Sequence, residues 1–131
     1  MIESESADDI DYKGSGFDRG HLAPAADMAW YADAMSESFF YSNMSPQNRF
    51  FNHGIWEKLE EEIRSWAVVY DSTQIVTGPV FTADLSQIGP NRISIPKYYY
   101  KAILDNREGR QQAIGFVLAN VKIMPKGFPV F

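Results

Sequence analysis

The quartet Asp18-Arg19-Gly20-His21 places an arginine and a histidine two residues apart in the glycine-rich stretch GSGFDRGHLAPAADM. Histidine titrates near neutral pH and can take a proton from water, and the planar guanidinium of arginine matches the oxygens of a phosphate group. Glycine beside them lets the backbone approach a substrate closely. The quartet indicates base-assisted chemistry on a phosphate; taken alone, it is also compatible with a surface turn that contains an incidental histidine.

Two asparagines lie near the start of the predicted helix in YSNMSPQNRFFNHGIWEKLE. Asn43 precedes the helix, and Asn52 falls in its second turn, where asparagine has poor helix propensity. The side-chain oxygen of Asn52 is a suitable ligand for a hard cation such as Mg²⁺, and the alternative is a place on the solvated helix face. The adjacent His53 points about 100° away around a helix, so we expect it to be structural or on the surface.

Glu60 and Arg64 follow Asn52 by eight and twelve residues, and with Trp56 they form a stripe along one helix. Eight residues span about 12 Å of helix axis, too far for Asn52 and Glu60 to touch one ion directly. Helical side chains lean toward the N-terminus, so Glu60 is expected to reach waters bound to a metal on Asn52. The alternative is a charged solvent face with ordinary Glu–Arg pairs. We expect this for the neighbouring glutamates: Glu57, Glu61 and Glu62.

The elements that position these residues predict an α+β domain. A helix is predicted from about Pro46 to Ala67, with Ser45 as its N-cap and Pro46 at the first helical position. Before it, residues 23–40 are expected to form a loop with a helical turn, and FFYSNMS (39–45) to begin as a strand and end in a turn. Strands are also predicted for WAVVY (66–70) and TQIVTGPVF (73–81), and for a β-hairpin whose two arms, ISIPKYYYKAIL and QQAIGFVLANVKI, flank DNREGR.

Composition narrows the possible functions. The 131 residues suffice for one domain with a hydrophobic core, and without cysteine the chain has neither disulfides nor thiolate metal sites. The net charge of −5 is carried by residues 1–12, and the remainder is neutral. This weakens the case for nucleic-acid binding through a basic surface, but a bound metal ion supplies positive charge that side chains lack. The acidic start has neither the basic nor the apolar region of a signal peptide.

Three motifs in this order closely resemble the DNA/RNA non-specific endonuclease family, the ββα-metal (His-Me finger) nucleases of the Serratia and endonuclease G type. They are GSGFDRGHLAPAADM, the spaced pattern within YSNMSPQNRFFNHGIWEKLE, and VTGPVF. The resemblance implies a ββα-metal core with a mainly antiparallel sheet. It assigns residues 14–131 to a family domain that is shortened at both ends, after an acidic, flexible leader at 1–13.

The resemblance also implies a role for each candidate residue. His21 matches the general base that activates water, and Arg19 matches the arginine of the motif near the phosphate. Asn52 matches the single protein ligand of Mg²⁺, and Glu60 matches the carboxylate that holds metal-bound waters. Arg64 matches an arginine that faces the scissile phosphate. An active-site asparagine that supports the geometry is matched by Asn43.

The function implied is Mg²⁺-dependent hydrolysis of phosphodiester bonds in DNA and RNA, without sequence or sugar preference, giving 5′-phosphate ends; Mn²⁺ or another divalent cation is a further option. The expected partners are DNA and RNA and a second copy of the chain, with no membrane. Relatives are secreted, periplasmic or mitochondrial. Two alternatives stay open: a catalytically weak nucleic-acid-binding domain or fragment of a larger nuclease assembly, and hydrolysis of a different phosphodiester.

Overall fold

A computed structural model describes residues 7–28, 32–70, 73–105, 109 and 111–122. Within these residues, two short 3₁₀ turns (Ala25–Met28 and Tyr41–Asn43) interrupt a series of helices and strands. In chain order they are α1 (Asp9–Tyr12), β1 (Phe17–His21), α2 (Ala32–Glu37), β2 (Met44–Asn48), α3 (Arg49–Asn52), α4 (Ile55–Tyr70), β3 (Thr73–Val80), β4 (Gln87–Ile88), β5 (Ile93–Ser94), β6 (Tyr98–Asp105) and β7 (Gln112–Ala119).

The strands form antiparallel sheets that confirm the predicted α+β class. The largest has the order β3-β6-β7, and the predicted hairpin is its β6–β7 pair. Helix α4 packs on one face of this sheet, because its apolar residues recur at helical spacing and those of the strands alternate. The core cluster contains Phe51, Ile55, Trp56, Leu59, Ile63, Tyr99, Ile103, Phe116 and Leu118.

Strands β1 and β2 form an antiparallel pair, and β2 leads directly into α3 and α4. Together these elements make the ββα unit that the resemblance implies. His21 pairs with Met44 and Gly20 with Ser45 in the register of the strand pair. A methyl group added at Gly20 would overlap the side chain of Gln47, which is fully buried. The glycine of the quartet is therefore required by packing inside the β1–β2 strand pair.

The predicted helix start at Pro46, with Ser45 as N-cap, is wrong. Both residues lie in β2, where Tyr99 Oη donates a hydrogen bond to the Pro46 carbonyl oxygen at 2.8 Å and is hydrogen-bonded to the Ser45 hydroxyl at 2.6 Å. Asn48 is the N-cap instead, and its side chain accepts from two backbone N–H groups of α3. The strand expected at the start of residues 39–45 begins only at Met44. Contacts distant in sequence thus override a local helix-start signal.

The helical segment is broken rather than continuous, and it is longer at its C-terminal end than predicted. His53 caps α3, and the chain resumes its helix at Ile55. At the other end, the sequence WAVVY belongs to α4 and not to a strand. Trp66 packs against the core, and its ring stacks on Phe116 with 6.0 Å between centroids. Burial of this ring on the helical face outweighs the strand propensity of the local sequence.

The acidic N-terminal stretch differs from the expected flexible leader in the part that the structure describes. Asp8 caps α1, and Asp11 and Tyr12 of α1 are buried. Asp11 accepts hydrogen bonds from the backbone and side chain of Asn91 at 2.8 and 2.9 Å. Burial on its own would raise the pKa of Asp11, but the hydrogen bonds from Asn91 and Asp8 bring it below its usual value. Residues 1–6 lie outside the described residues.

None of the helices in the described residues is both long enough and apolar enough to pass through a membrane.

Candidate active site

Four of the predicted site residues line one cleft of about 330 Å³: His21, Asn52, Glu60 and Arg64. His21 is the last residue of β1, Asn52 is the last of α3, and the other two lie on α4. The break at Gly54 means that Asn52 and Glu60 are on different helices, so the straight-helix spacing assumed from sequence does not apply. The ββα unit nevertheless brings them to one cleft.

His21 has the features of a proton acceptor. Its Nε2 atom is buried and has no hydrogen-bond partner among the described residues. The edge of its ring meets Phe39, with 4.7 Å between centroids. Burial, and secondarily the charge of Arg19, lower the pKa of His21 below its usual value of 6.5. The imidazole is therefore neutral at pH 7 and retains a lone pair for a proton.

Asn52 is oriented by a carboxylate from the quartet. Its Nδ2 donates to Asp18 Oδ2 at 3.0 Å, and His53 Nε2 lies 3.0 Å from the same oxygen. An ionised carboxylate only accepts hydrogen bonds, so the amide nitrogen must face Asp18 and the Oδ1 atom faces elsewhere. The side chain of His53 is largely exposed, at 69%. Its contact with Asp18 agrees with the structural or surface position expected for it.

The donor set at the cleft fits a hard divalent cation that keeps several waters. Among the described residues there is no cluster of three or more histidine, aspartate or glutamate side chains of the kind that encloses a metal ion. The Asn52 amide oxygen and the carboxylates that line the cleft are hard oxygen donors, which Mg²⁺ prefers. Besides Glu60, these carboxylates are Glu57 and Glu61. Both are exposed, which agrees with the solvent face expected for them, although they also line the cleft.

Glu60 is half-buried between this cleft and a second cavity of about 510 Å³. Burial raises the pKa of Glu60 from 4.5 to about 7, against the charge of Lys101, which lowers it. The carboxylate is therefore close to its midpoint at neutral pH. A group with this property in a cleft is typical of functional sites.

Arg64 is anchored by one of its N–H groups. Its Nε donates to Asp27 Oδ1 at 2.5 Å, and Asp27 lies in the 3₁₀ turn that follows β1. The guanidinium carries five N–H donors in a fixed plane. Holding Nε in this way orients the plane and leaves further donors for phosphate oxygens.

Arg19 lies in a different part of the site. It lines an adjoining cavity of about 670 Å³, which also includes His21 and Asn52 but neither Glu60 nor Arg64. Its Nη1 forms an ion pair with Asp9 Oδ1 at 2.9 Å, and its side chain is 51% exposed. Arg19 and His21 are alternate residues of β1 and share one face of the strand, as predicted.

Asn43 does not line the cleft. Its side-chain amide donates to the Ala23 and Ser38 carbonyl oxygens and accepts from Ala23 N–H, each at 2.9 Å. These bonds fasten the loop that follows His21. Asn43 therefore stabilises the backbone beside the cleft without lining it, which is compatible with the supporting role expected for it.

Sequence reasoning gave no role to three charged residues of the site: Asp18, Asp27 and Lys101. Asp18 was visible as part of the quartet. Lys101 had a signal as well, because it is a single charge between Tyr99 and Ile103, the residues that share its face of β6. Asp27 stands in an alanine-rich loop, and nothing in the local pattern distinguishes it.

Comparison with known proteins agrees with this geometry. A family model described as DNA/RNA non-specific endonuclease matches residues 2–129. The chain belongs to the DNA/RNA non-specific endonuclease family. Members similar to it include mitochondrial endonuclease G of Bos taurus, 36% identical over 89% of this chain and 43% of that protein. Nuclease C1 of Cunninghamella echinulata is 37% identical over 88% of this chain and 50% of that protein.

A solved structure of this family has the same fold. A crystal structure of the EndoG/EndoGI complex contains a chain that superposes with a TM-score of 0.88 at 27% identity, covering 97% of this chain and 57% of that one. The present chain thus spans about half the length of the family members that it matches. The matched residues include the ββα unit and the cleft described above.

Proposed function

We propose that this chain is the catalytic part of a Mg²⁺-dependent endonuclease that hydrolyses phosphodiester bonds in DNA and RNA without sequence or sugar preference. The observation that carries the proposal is the single cleft lined by His21, Asn52, Glu60 and Arg64. This cleft combines a neutral imidazole, a hard oxygen ligand, an acid and a guanidinium. Together with the family membership, these groups match the requirements of phosphodiester hydrolysis.

In the proposed reaction, the His21 imidazole takes a proton from a water as the water oxygen attacks phosphorus. The P–O3′ bond breaks on the opposite side, so the products carry a 5′-phosphate and a 3′-hydroxyl, and the 3′ oxygen receives a proton from solvent. Lowering of the His21 pKa keeps the imidazole unprotonated and ready for this step. General-base assistance of this kind contributes about 10²–10⁴-fold to the rate.

The residues that would hold the cation are Asn52, through Oδ1, and Glu60, through water. When bound, Mg²⁺ or another divalent cation such as Mn²⁺ supplies positive charge that stabilises the negative charge on the phosphate and on the leaving oxygen. Asp18 keeps the Asn52 amide turned so that its oxygen is available. The acidic cleft then becomes suitable for a polyanion despite the absence of a basic patch in the sequence.

Substrate breadth follows from contacts with the phosphate alone. Arg64 at the cleft and Arg19 in the adjoining cavity are the proposed phosphate-binding cations. Phosphate contacts carry no sequence information and do not read the sugar. The same site would therefore accept DNA and RNA. The homodimer that the resemblance implies is part of the proposal, and light scattering in solution checks it.

The test is digestion of supercoiled plasmid and of RNA by the 131-residue chain with Mg²⁺, with and without EDTA. Cleavage of both polymers that EDTA stops supports the proposal, and ligation of the fragments with DNA ligase checks for 5′-phosphate ends. Binding of either polymer without cleavage favours the alternative of a catalytically weak nucleic-acid-binding domain.

A further inference from the structure

Lys101 is a charged residue inside the apolar core. It lies on β6 between Tyr99 and Ile103, and 2% of its surface is exposed. Its Nζ donates to Thr77 Oγ1 at 3.0 Å and lies 4.7 Å from the centroid of the Trp56 ring. Removing an ammonium from water is strongly unfavourable unless an anion compensates it. Burial lowers the pKa of Lys101 from 10.5 to about 8, so the ammonium is still the main form at pH 7 and a nearby anion stabilises it.

Two carboxylates act on the charge of Lys101, Glu60 on α4 and Asp27 in the 3₁₀ turn after β1. Asp27 is already paired with Arg64. Lys101 and Glu60 line the same cavity of about 510 Å³, whose other walls are mostly apolar, and charges interact more strongly in such surroundings than in water. Asp27 lines this cavity as well, but its charge is shared with Arg64, whereas Glu60 has no ion pair within the described residues.

We propose that Lys101 is a positioning residue for Glu60, whose carboxylate it orients from the cavity behind the cleft. The inference rests on the proposed function, in which Glu60 acts on the cleft side. Because Lys101 is buried and lies in the cavity behind Glu60, it does not line the cleft itself. Its contribution to turnover must therefore pass through Glu60. Besides Lys101, the charged groups that act on Glu60 are Asp27, Arg64 and Glu57.

The first experiment tests the link itself and needs no nuclease activity. The folding equilibrium constant is measured by denaturant unfolding at about pH 7.5, between the pKa values of Glu60 and Lys101, for the intact chain, Glu60→Gln, Lys101→Met and the double variant. We expect the effect of Glu60→Gln to differ at least fivefold between the Lys101 and Lys101→Met backgrounds, because interacting groups are not additive. Ile103→Val, on the same strand face, is the matched control and should show no coupling to Glu60→Gln. If the effect of Glu60→Gln on the folding equilibrium constant differs by less than twofold between the two backgrounds, the proposal is overturned.

The second experiment follows turnover and metal binding in the same variants. Lys101→Met should lower kcat at least tenfold with KM nearly unchanged, and should weaken Mg²⁺ binding in a calorimetric titration. In the Glu60→Gln background it should have no further effect on kcat. An equal loss in both backgrounds would mean that Lys101 acts only through packing, against the proposal. Coupling in the folding equilibrium without any cleavage by the intact chain would reject the proposed function and keep the link between Lys101 and Glu60.

Discussion

The Asp18 carboxylate accepts a hydrogen bond from Asn52 Nδ2 at 3.0 Å, which ties β1 to the end of α3. The bond decides which way the Asn52 amide faces, so a residue of the quartet sets the direction of the proposed metal ligand. Groups that orient a ligand in this way commonly contribute about 10–100-fold to metal affinity or activity.

Replacing Asp18 tests this relationship. Asp18→Ala should weaken Mg²⁺ binding and lower activity by about 10–100-fold, because the Asn52 amide is then free to turn. Asp18→Asn keeps one acceptor oxygen and should lose less. Calorimetric Mg²⁺ titration and plasmid cleavage provide the measurements. If Asp18→Ala binds Mg²⁺ as tightly as the intact chain, Asp18 does not orient a metal ligand.

His21→Ala should reduce cleavage by about 10²–10⁴-fold while the fold is retained, because the proposed base is removed. His53→Ala is the matched control. It should be far milder, since His53 lines the cleft but is mostly exposed and has its Nε2 atom 3.0 Å from Asp18 Oδ2. Initial rates on plasmid, with circular dichroism as the folding check, decide the matter. Equal losses of activity in His21→Ala and His53→Ala would show that His21 is not the specific base.

Glu60 should control the pH dependence near neutrality. Its pKa is raised from 4.5 to about 7 in the folded chain, so the ionised form is gained as the pH rises through 7, and activity should rise with it. The His21 pKa is lowered, so the base is already neutral in this range. Glu60→Gln should lower turnover and remove the rise, whereas Glu62→Gln, on the exposed face, should leave both unchanged.

The same raised pKa has a consequence for stability. The folded state holds the Glu60 proton more tightly than the unfolded chain does. The stabilising contribution is therefore complete below about pH 4.5 and is lost as the pH rises through about 7. Denaturant unfolding between these values should show a slope with pH that is smaller in Glu60→Gln. An unchanged slope would place the titration near pH 7 on another group.

Arg64→Lys should reduce kcat more than it changes KM. A compact ammonium cannot keep the Asp27 contact and also present a planar set of donors to the phosphate. If Arg64 stabilises charge that develops in the transition state, the loss appears in turnover. Steady-state kinetics on a defined oligonucleotide give the two constants. If Arg64→Lys changes neither kcat nor KM, the guanidinium has only a structural role.

Gly20→Ala should destabilise the β1–β2 strand pair, because the added methyl group overlaps the buried Gln47 side chain. Overpacking of this kind costs about 1–3 kcal/mol. Gly16→Ala tests a turn glycine with open space but a positive φ of 84°, so its loss should come from backbone strain alone. Thermal unfolding measures the loss of stability in each variant. Adding Gln47→Ala should restore part of the stability lost in Gly20→Ala and none of that lost in Gly16→Ala.

The sequence predicted the parts of this fold that follow from local pattern. Alternation along β1 placed Arg19 and His21 on one face, and the arms around DNREGR formed the β6–β7 hairpin. Helical spacing of Ile55, Leu59 and Ile63 predicted the buried face of α4. These signals are local because each depends on the repeat of one helix or one strand.

The tertiary structure alone decided the rest. The local sequence at Pro46 is typical of a helix start. Pro46 nevertheless lies in a strand, because Tyr99 and Asn120 donate hydrogen bonds to its carbonyl oxygen. Residue types and spacing, together with the family resemblance that they carry, selected the candidate base, ligand, acid and guanidinium. The groups that orient or compensate them are 34 or more positions away along the chain, as with Asp18 for Asn52, Asp27 for Arg64 and Lys101 for Glu60. Such pairs arise from packing between elements, which no repeat within one element encodes.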